Sequence, residues 1–202
     1  MDFSKAAASL KARGFSVSEF ETKEEAAAYL NREIDGTSVG FGGSMTLKEM
    51  GLYETLPTHN EFWSHWAVPE GMTAAEVRAK AAAAEVYLSS VNGLAETGEL
   101  INIDGAGNRT ANILYGHKKV YLVVGRNKLA PTYDEALWRA RNIAAPKNAL
   151  RLKLRTPCAA TGGKKCFDCK SPDRICCGFV VLWRALNGSD TEVVLVDEDL
   201  GY

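Results

Sequence analysis

Helix and strand patterns alternate along almost the whole chain, and this alternation constrains the fold more than any other feature. Three helical stretches begin with a capping box, a Thr followed three residues later by a Glu, at Thr22, Thr73 and Thr132. The third should end at Pro146, since proline cannot continue a helix. Buried strands lie between them, most clearly at 119–125. The alternation predicts an α/β fold with three layers, in which helices cover both faces of a mainly parallel sheet.

The predicted elements follow one another closely along the chain. Helical periodicity predicts helices at 2–13, 22–34, 46–50, 73–84, 108–115 and 132–146. Apolar or alternating runs predict strands at 15–20, 38–42, 60–68, 85–91, 100–103, 119–125, 179–183 and 192–196. Because 202 residues is the usual size of one domain, we predict a single domain over residues 1–202, with a four-cysteine loop at 156–177.

Composition and charge exclude several classes of partner. The formal net charge of −1 provides no basic field for nucleic acid or an anionic membrane. No apolar run approaches the roughly 20 residues that a membrane-spanning helix needs. The first residues have neither the apolar region nor the cleavage site of a signal peptide. We therefore expect a cytoplasmic protein with reduced thiols, and exposed sheet edges of this kind often pair into homodimers.

Polar, glycine-rich turns follow several of the predicted strands, at residues 40–46, 89–109 and 125–128. Ligands of parallel α/β sheets bind at the carboxyl ends of the strands, so we expect these turns to bind a small anionic metabolite. The candidate ligand-binding residues are Gly42, Gly43, Ser44, Thr46, Asn92, Asp104, Gly105, Gly107, Asn108, Arg109, Arg126, Asn127 and Lys128.

Each of these turns also has a purely structural interpretation. The first lacks the Gly-Lys-Ser/Thr of a phosphate-binding P-loop and is equally typical of a tight turn with Ser44 as a helix N-cap. Asn and Asp side chains in the second can cap backbone amides, although turns rarely need an arginine and two acids together. The catalytic residues are not determined by the pattern. Because no histidine is well placed, Asp104 and Glu96 are the candidate acid or base.

All five cysteines lie within residues 158–177. Cys158, Cys166, Cys169 and Cys176 have the spacing C-x7-C-x2-C-x6-C, and Cys177 follows the last of them directly. A C-x-x-C step lets two thiolates reach one metal ion from a single turn. Cys177 is the spare thiol, because adjacent residues seldom both reach one ion, although it is able to substitute for Cys176. The spacing predicts a metal site.

Four thiolates suit Zn²⁺ or an iron–sulfur cluster, and softness excludes Mg²⁺ and Ca²⁺ without separating zinc from iron. Neighbouring cations would offset the negative charge of such a site. Disulfide pairing is disfavoured by the odd number of cysteines, and unpaired thiols rarely cluster this tightly. The predicted cofactor is therefore an iron–sulfur cluster or Zn. The neighbouring cations are Lys164, Lys165, Lys170 and Arg174.

These turns and cysteines together resemble the LUD-domain family, the lactate-utilisation proteins of the LutC (YkgG) type, over nearly the whole chain. The resemblance rests on several motifs in a fixed order. They are Gly40-Phe-Gly-Gly-Ser44-Met-Thr46, Ser89-Ser-Val-Asn92, Gly98-Glu-Leu, Ile103-Asp104-Gly-x-Gly107-Asn108-Arg109, Val124-Gly-Arg126-Asn127-Lys128, Ala145-Pro-x-Asn148-Ala-x-Arg151, Thr156-Pro-Cys158 and Leu200-Gly-Tyr202.

The resemblance implies the fold shared by ribose-5-phosphate isomerase, glucosamine-6-phosphate deaminase and CoA transferases, with residues 104–107 lining the ligand cleft. It also implies a role in growth on L-lactate, together with iron–sulfur partner proteins that oxidise lactate to pyruvate. Family members that carry cysteines share the four positions found here. The chain departs from the family pattern in an expanded segment at 162–165, and in Cys177 and His117, where we expect Asn and Pro.

Three functions are compatible with these features. The first is an accessory subunit of the lactate-oxidising system, in which an iron–sulfur cluster transfers electrons. The second is an isomerase-like or transferase-like enzyme that binds a phosphorylated or carboxylated metabolite and holds structural zinc. The third is an assembly or regulatory protein without chemistry. Whether the chain is itself catalytic stays open at this point.

Overall fold

A parallel sheet of six strands forms the centre of the protein in a computed structural model, which describes residues 3–202. A second sheet of four strands lies beside it. In chain order the strands are β1 (Ser16–Phe20), β2 (Ser38–Phe41), β3 (Glu61–Ser64), β4 (Val86–Ser90), β5 (Gly93–Ala95), β6 (Leu100–Asp104), β7 (Lys119–Gly125), β8 (Leu129–Ala130), β9 (Gly178–Leu182) and β10 (Asp190–Val196).

Helices connect the strands and cover the central sheet. Two of the predicted capping boxes are present, at Thr22 and Thr73, where each Thr side chain and the Glu three residues on exchange hydrogen bonds with the backbone. The helices are α1 (Ser4–Ala12), α2 (Lys23–Glu33), α3 (Met45–Glu49), α4 (Leu52–Thr55), α5 (Ala74–Ala83), α6 (Asn108–Leu114), α7 (Tyr133–Arg139), α8 (Ala145–Arg151) and α9 (Pro157–Ala160), with short 3₁₀ turns at Leu56–Thr58 and Arg126–Lys128.

The central sheet has the strand order β1-β10-β7-β4-β2-β3, and every pairing in it is parallel. Side chains of β7 alternate between its two faces, as the period of a strand requires. Leu122 and Val124 pack in the core that includes Leu10 of α1, while Val123 packs in the core that includes Leu30 of α2. Helices therefore cover both faces, and the predicted α/β class is confirmed.

The second sheet, with the order β8-β5-β6-β9, was not predicted from the sequence. The strand predicted at 179–183 exists, but it pairs antiparallel with β6 and not with the central sheet. A run of apolar residues fixes the local conformation of a strand but not its partner. This pairing sets Gly178 opposite Asp104, so the cysteine loop ends beside the residues that follow β6.

The prediction that Pro146 ends a helix is wrong. The helix continues from α7 through a π-helical turn at Ala140–Ala144 into α8. The Ala145 N–H bonds to the Ala140 carbonyl five residues back, which shifts the hydrogen-bond register so that Pro146 falls in the first turn of α8. Proline is tolerated there because no intrahelical donor is needed. None of the helices within residues 3–202, this long one included, is long and apolar enough to cross a membrane.

Gly40 is required by the packing of β2 against α5. A Cβ at this position would stand 2.3 Å from the Ala81 carbonyl oxygen and 3.0 Å from the Tyr87 ring. We expect Gly40→Ala to lower the free energy of unfolding by about 3 kcal/mol, because backbone rather than a flexible side chain blocks the new methyl group. Urea unfolding measures the loss. The matched control is Gly188→Ala, which adds a methyl into open space and should change stability by less than about 0.5 kcal/mol. Equal losses in the two variants would contradict the prediction.

Candidate functional site

A polar cleft of about 260 Å³ lies at the carboxyl ends of β2, β4, β7 and β10, which are neighbours in the central sheet. The turns after β2, β4 and β7 lie at this edge, as the parallel order requires, and the turn after β6 reaches it from the second sheet. The start of α6, the end of α8 and the segment that follows β10 complete the walls. The polar side chains that line the cleft are Ser44, Thr46, His65, Arg78, Ser90, Asn92, Asp104, Asn108, Arg109, Lys128, Asn148, Arg151 and Tyr202.

The turn after β2 forms one wall through its backbone and the start of α3. Ser44 is the N-cap of α3 and accepts a hydrogen bond from the Leu47 N–H at 3.3 Å. Gly42 lies behind the wall, where a Cβ would stand 2.9 Å from Arg109. At Gly43 a Cβ would stand 3.1 Å from the Trp66 ring. These glycines therefore allow the close packing on which the shape of the cleft depends.

Asp104 organises the turn between β6 and α6. Its Oδ1 accepts hydrogen bonds from the N–H groups of Ala106 at 3.2 Å and Gly107 at 3.1 Å. Its Oδ2 accepts from the N–H groups of Arg109 at 3.0 Å and Thr110 at 3.2 Å. The four bonds use the acceptor positions of the carboxylate and satisfy donors at the start of α6. This geometry favours positioning of the turn; a role for Asp104 as acid or base stays a prediction.

The Arg109 guanidinium is also engaged by the protein. Nη1 donates to the Ser90 carbonyl and to Asn102 Oδ1, and Nη2 donates to Asn92 Oδ1 and, at 2.7 Å, to the Ile103 carbonyl. Its Nε stands 3.8 Å from Asp104 Oδ2, so the two charges offset each other. Arg109 therefore joins the turns after β4 and β6 in addition to lining the cleft.

Lys128 is buried at the base of the cleft, in the 3₁₀ turn after β7. Its Nζ donates to Thr46 Oγ1 and to Ser90 Oγ, each at 2.6 Å. Within residues 3–202 it forms no ion pair with a carboxylate. Burial, followed by the nearby charges of Arg139 and Arg109, lowers the Lys128 pKa to about 7. An amine in this state changes charge near neutral pH.

Five of the sequence-predicted residues do not line the cleft: Gly42, Glu96, Gly107, Arg126 and Asn127. Glu96 follows β5 at its far end and pairs with Lys5 at 3.4 Å. Arg126 is exposed and faces Asp197 at 3.2 Å. Asn127 holds the last residues through bonds with the Leu200 N–H and the Gly201 carbonyl, each at 3.2 Å. Consecutive residues of a turn point in different directions, so of the sequence 126–128 only Lys128 reaches the cleft. Gly107 adopts φ +79° at the start of α6 and shapes the turn without lining the cleft.

Sequence reasoning missed the residues on the outer wall. Trp66 lines this wall and stacks on Tyr53 with ring centroids 5.4 Å apart. The Arg151 guanidinium lies 5.3 Å from the centre of the Trp66 ring. His65 is half-buried, and burial, with a smaller contribution from Arg78, lowers its pKa. In the sequence, only two motifs indicated residues of this wall: Asn148-Ala-x-Arg151 and Leu200-Gly-Tyr202.

Arg139 is a further buried cation, on the buried face of α7. The helical periodicity of the sequence could not reveal it, because that pattern assigns charged residues to the exposed face of a helix. Its guanidinium donates to backbone carbonyls of Asn127 at 2.7 Å, Asn92 at 2.6 Å and Tyr202 at 3.2 Å. Burial lowers the Arg139 pKa to about 10. The side chain thus ties together three segments that border the cleft.

The cysteine loop forms a second, smaller cavity of about 20 Å³ next to the cleft. All four predicted metal ligands border it, together with Arg141 and Arg174, whereas Cys177 is exposed and does not. The Arg174 guanidinium donates to the carbonyls of Cys169 at 2.7 Å and Cys176 at 3.0 Å. Among residues 3–202 no three His, Cys, Asp or Glu side chains form a group that could hold a metal ion. The thiols that border the cavity are Cys158, Cys166, Cys169 and Cys176.

The fold and the cleft define an α/β protein with a cation-rich site at the carboxyl edge of a parallel sheet. A family model for the LUD domain matches residues 3–196. A crystal structure of a DUF162 family protein from Deinococcus radiodurans has a similar fold, with a TM-score of 0.52 and 12% sequence identity, over 97% of this chain and 98% of that chain. No curated protein matches the chain. The chain belongs to the LUD domain family, which is associated with lactate utilisation.

The four hydrogen bonds that the Asp104 carboxylate accepts predict that its replacement lowers the stability of the fold. Asp104→Asn replaces one acceptor oxygen by an amide donor that faces backbone N–H groups. We expect a loss of about 2–3 kcal/mol in the free energy of unfolding, because two backbone N–H donors at the start of α6 lose their charged acceptor. Urea unfolding measures it. The control Asp199→Asn removes an exposed carboxylate that stands 3.7 Å from Arg126, and should cost under about 0.5 kcal/mol. A near-neutral Asp104→Asn would disprove the anchoring role.

Proposed function

We propose that this chain is an accessory subunit of a lactate-utilisation system, and that its cleft binds a small carboxylate metabolite such as L-lactate or pyruvate. Membership of a family associated with lactate utilisation supports the biological context. The balance of charge in the cleft supports the ligand class. Iron–sulfur proteins of the same oxidising system are the proposed partners.

The charge balance is the single observation that carries this proposal. Arg78, Arg109, Arg151 and the amine of Lys128 line the cleft, and in residues 3–202 Asp104 is the one acidic side chain among the lining residues. Asp104 and Arg109 offset each other, which leaves the guanidinium groups of Arg78 and Arg151, and the Lys128 amine in its protonated form, without an acidic side chain as partner in the cleft. An uncompensated group of cations in a concave site attracts an anion, and guanidinium groups match a carboxylate in geometry.

Carboxylate binding predicts a measurable gain in stability. L-Lactate and pyruvate should raise the melting temperature with increasing concentration, because a ligand that binds only the folded state stabilises it. Arg78→Gln and Arg151→Gln should each raise the Kd by about tenfold, which is the effect of losing one charged hydrogen bond. Isothermal titration calorimetry measures the Kd.

The control for these variants is Arg32→Gln, which removes an exposed guanidinium on α2 outside the cleft. Its Kd should equal that of the wild type. If neither carboxylate binds, the proposal is overturned and an assembly or regulatory protein without a ligand is favoured. Binding of sugar phosphates in place of these carboxylates would favour the isomerase-like or transferase-like alternative.

The cysteine loop is a second proposed site, for an iron–sulfur cluster or zinc. The donor set fits either group, since four thiols border one cavity and two arginines stand beside them to offset thiolate charge. The thiols do not form an assembled metal group, so binding would require the loop to close around the metal. When bound, an iron–sulfur cluster supplies electron transfer and zinc supplies structural cross-linking.

Metal content distinguishes these possibilities. Protein purified without oxygen should contain either iron with acid-labile sulfide or zinc, and Cys166→Ser should lose most of it because one of four ligands is gone. Cys177→Ser is the matched control and should retain the metal, since Cys177 does not border the cavity. Elemental analysis and the absorption spectrum provide the readout. Iron and sulfide support electron transfer, zinc supports a structural site, and absence of both overturns the proposed metal site.

A further inference from the structure

The hydrogen bonds around Lys128 leave one position of its amine unused. Ser90 Oγ donates its hydrogen to the Val123 carbonyl at 2.6 Å, and Thr46 Oγ1 donates to the Leu200 carbonyl at 3.3 Å. A hydroxyl has a single hydrogen, so both hydroxyls must accept from Lys128 Nζ. Nζ therefore directs two hydrogens at protein acceptors. Its remaining position has no acceptor among residues 3–202.

The surroundings of Nζ determine whether that position carries a third hydrogen or a lone pair. No carboxylate in the described part of the chain pairs with Lys128, its side chain is buried, and the charges of Arg139 and Arg109 oppose protonation more than Glu49 favours it. These influences lower the Lys128 pKa to about 7, so much of the amine is neutral at physiological pH. A neutral amine carries a lone pair, and two hydroxyl acceptors hold its hydrogens in fixed directions. Such an amine is a nucleophile.

We propose that Lys128 forms an imine with the carbonyl carbon of a 2-oxo acid bound in the cleft. The inference rests on the proposed carboxylate-binding function and adds to it the substrate class and the reacting residue. Arg78 and Arg151 would hold the carboxylate, and the carbonyl group next to the carboxylate would then meet the amine. A 2-hydroxy acid has no such carbonyl and would bind without reacting.

The reaction is balanced without a redox partner. The Nζ lone pair attacks the C2 carbonyl carbon, a C–N bond forms, and the carbonyl π electrons move to oxygen. One proton then passes from nitrogen to that oxygen. The nitrogen lone pair next expels the hydroxyl group, which takes up one proton from solvent and leaves as water, so that the product is the protonated imine. No electrons are gained or lost overall.

The segment after β10 shields the amine on one side. Gly201 adopts φ +62°, and a Cβ there would stand 2.7 Å from Thr46 Oγ1 and 3.6 Å from Lys128 Nζ. Glycine is required by the positive φ and by the short distance to Thr46, and it lets this backbone pack next to the amine. The close approach excludes water from this side, which protects an imine from hydrolysis.

Reductive trapping tests the proposal on the intact chain. The protein is incubated with pyruvate and sodium borohydride at about pH 8, digested and mapped by mass spectrometry. The expected product is Lys128 with an added mass equal to pyruvic acid minus one oxygen atom. Trapping at Lys128 should exceed that at surface lysines by about three hundredfold at pH 8, since an amine with a pKa of about 7 has that much more of its neutral form than one with a pKa of 10.5. The yield should rise as the pH is raised through about 7, because deprotonation frees the lone pair.

Two variants and one ligand serve as controls. Lys128→Arg keeps a cation but removes the nucleophile, and should abolish the adduct. Lys118→Arg changes an exposed lysine that pairs with Glu85, and should leave trapping unchanged. L-Lactate should compete with pyruvate but give no adduct. Mapping of the wild-type adduct needs no variant, so the test holds even if Lys128→Arg does not fold.

The outcomes separate this inference from the function on which it rests. A Lys128 adduct with the expected pH profile supports both. Pyruvate binding by calorimetry without an adduct at Lys128, or with equal labelling of surface lysines, overturns the imine and leaves the carboxylate-binding function standing. Failure of both pyruvate and L-lactate to bind overturns the proposed function, and the imine with it.

Discussion

Parallel pairing of four neighbouring strands is the constraint on which the rest of the structure depends. β10 pairs with β7, β7 with β4 and β4 with β2, and each pairing continues to the last residue of at least one of its two strands, as in Ser90 opposite Val123. The chain must therefore leave all four strands at one edge of the sheet. Thr46 in α3, Ser90 at the end of β4 and Lys128 in the 3₁₀ turn after β7 meet there because the backbone hydrogen bonds of the sheet bring their segments together.

The same arrangement places the charged groups of Asp104, Arg109 and Lys128 close together, and the surrounding residues compensate these charges only in part. The Asp104 carboxylate is satisfied by four backbone donors, and the Arg109 guanidinium by four oxygen acceptors. Lys128 receives two hydroxyl acceptors and no charge partner. Because burying an unpaired charge is costly, the amine shifts towards its neutral form. The reactive character that we propose for it follows from this incomplete compensation.

The cleft and the cysteine loop share one segment of chain. Ile175 lines the cleft and also borders the cysteine cavity, and a Cβ on Gly105 would stand 2.9 Å from the Ile175 carbonyl oxygen. The Cys177 N–H donates to the Asp104 carbonyl at 3.0 Å. Antiparallel pairing of β9 with β6 holds these contacts in place. A metal that closed the cysteine loop would therefore act on the wall of the cleft through residues already in contact.

The sequence by itself determined the α/β class, the helix starts at Thr22 and Thr73 and the position of β7, because these depend on short-range periodicity and capping. It also indicated the turns that contain Ser44, Asp104 and Lys128, since glycine-rich turns must end the strands of such a sheet. Only the tertiary structure decided which side chains of those turns face the cleft, that β9 joins a second sheet, and that the helix continues past Pro146. Those outcomes depend on contacts between residues far apart in the chain, which no local pattern encodes. The buried state of Lys128 is of this kind, because its hydroxyl partners lie 82 and 38 residues away in the sequence.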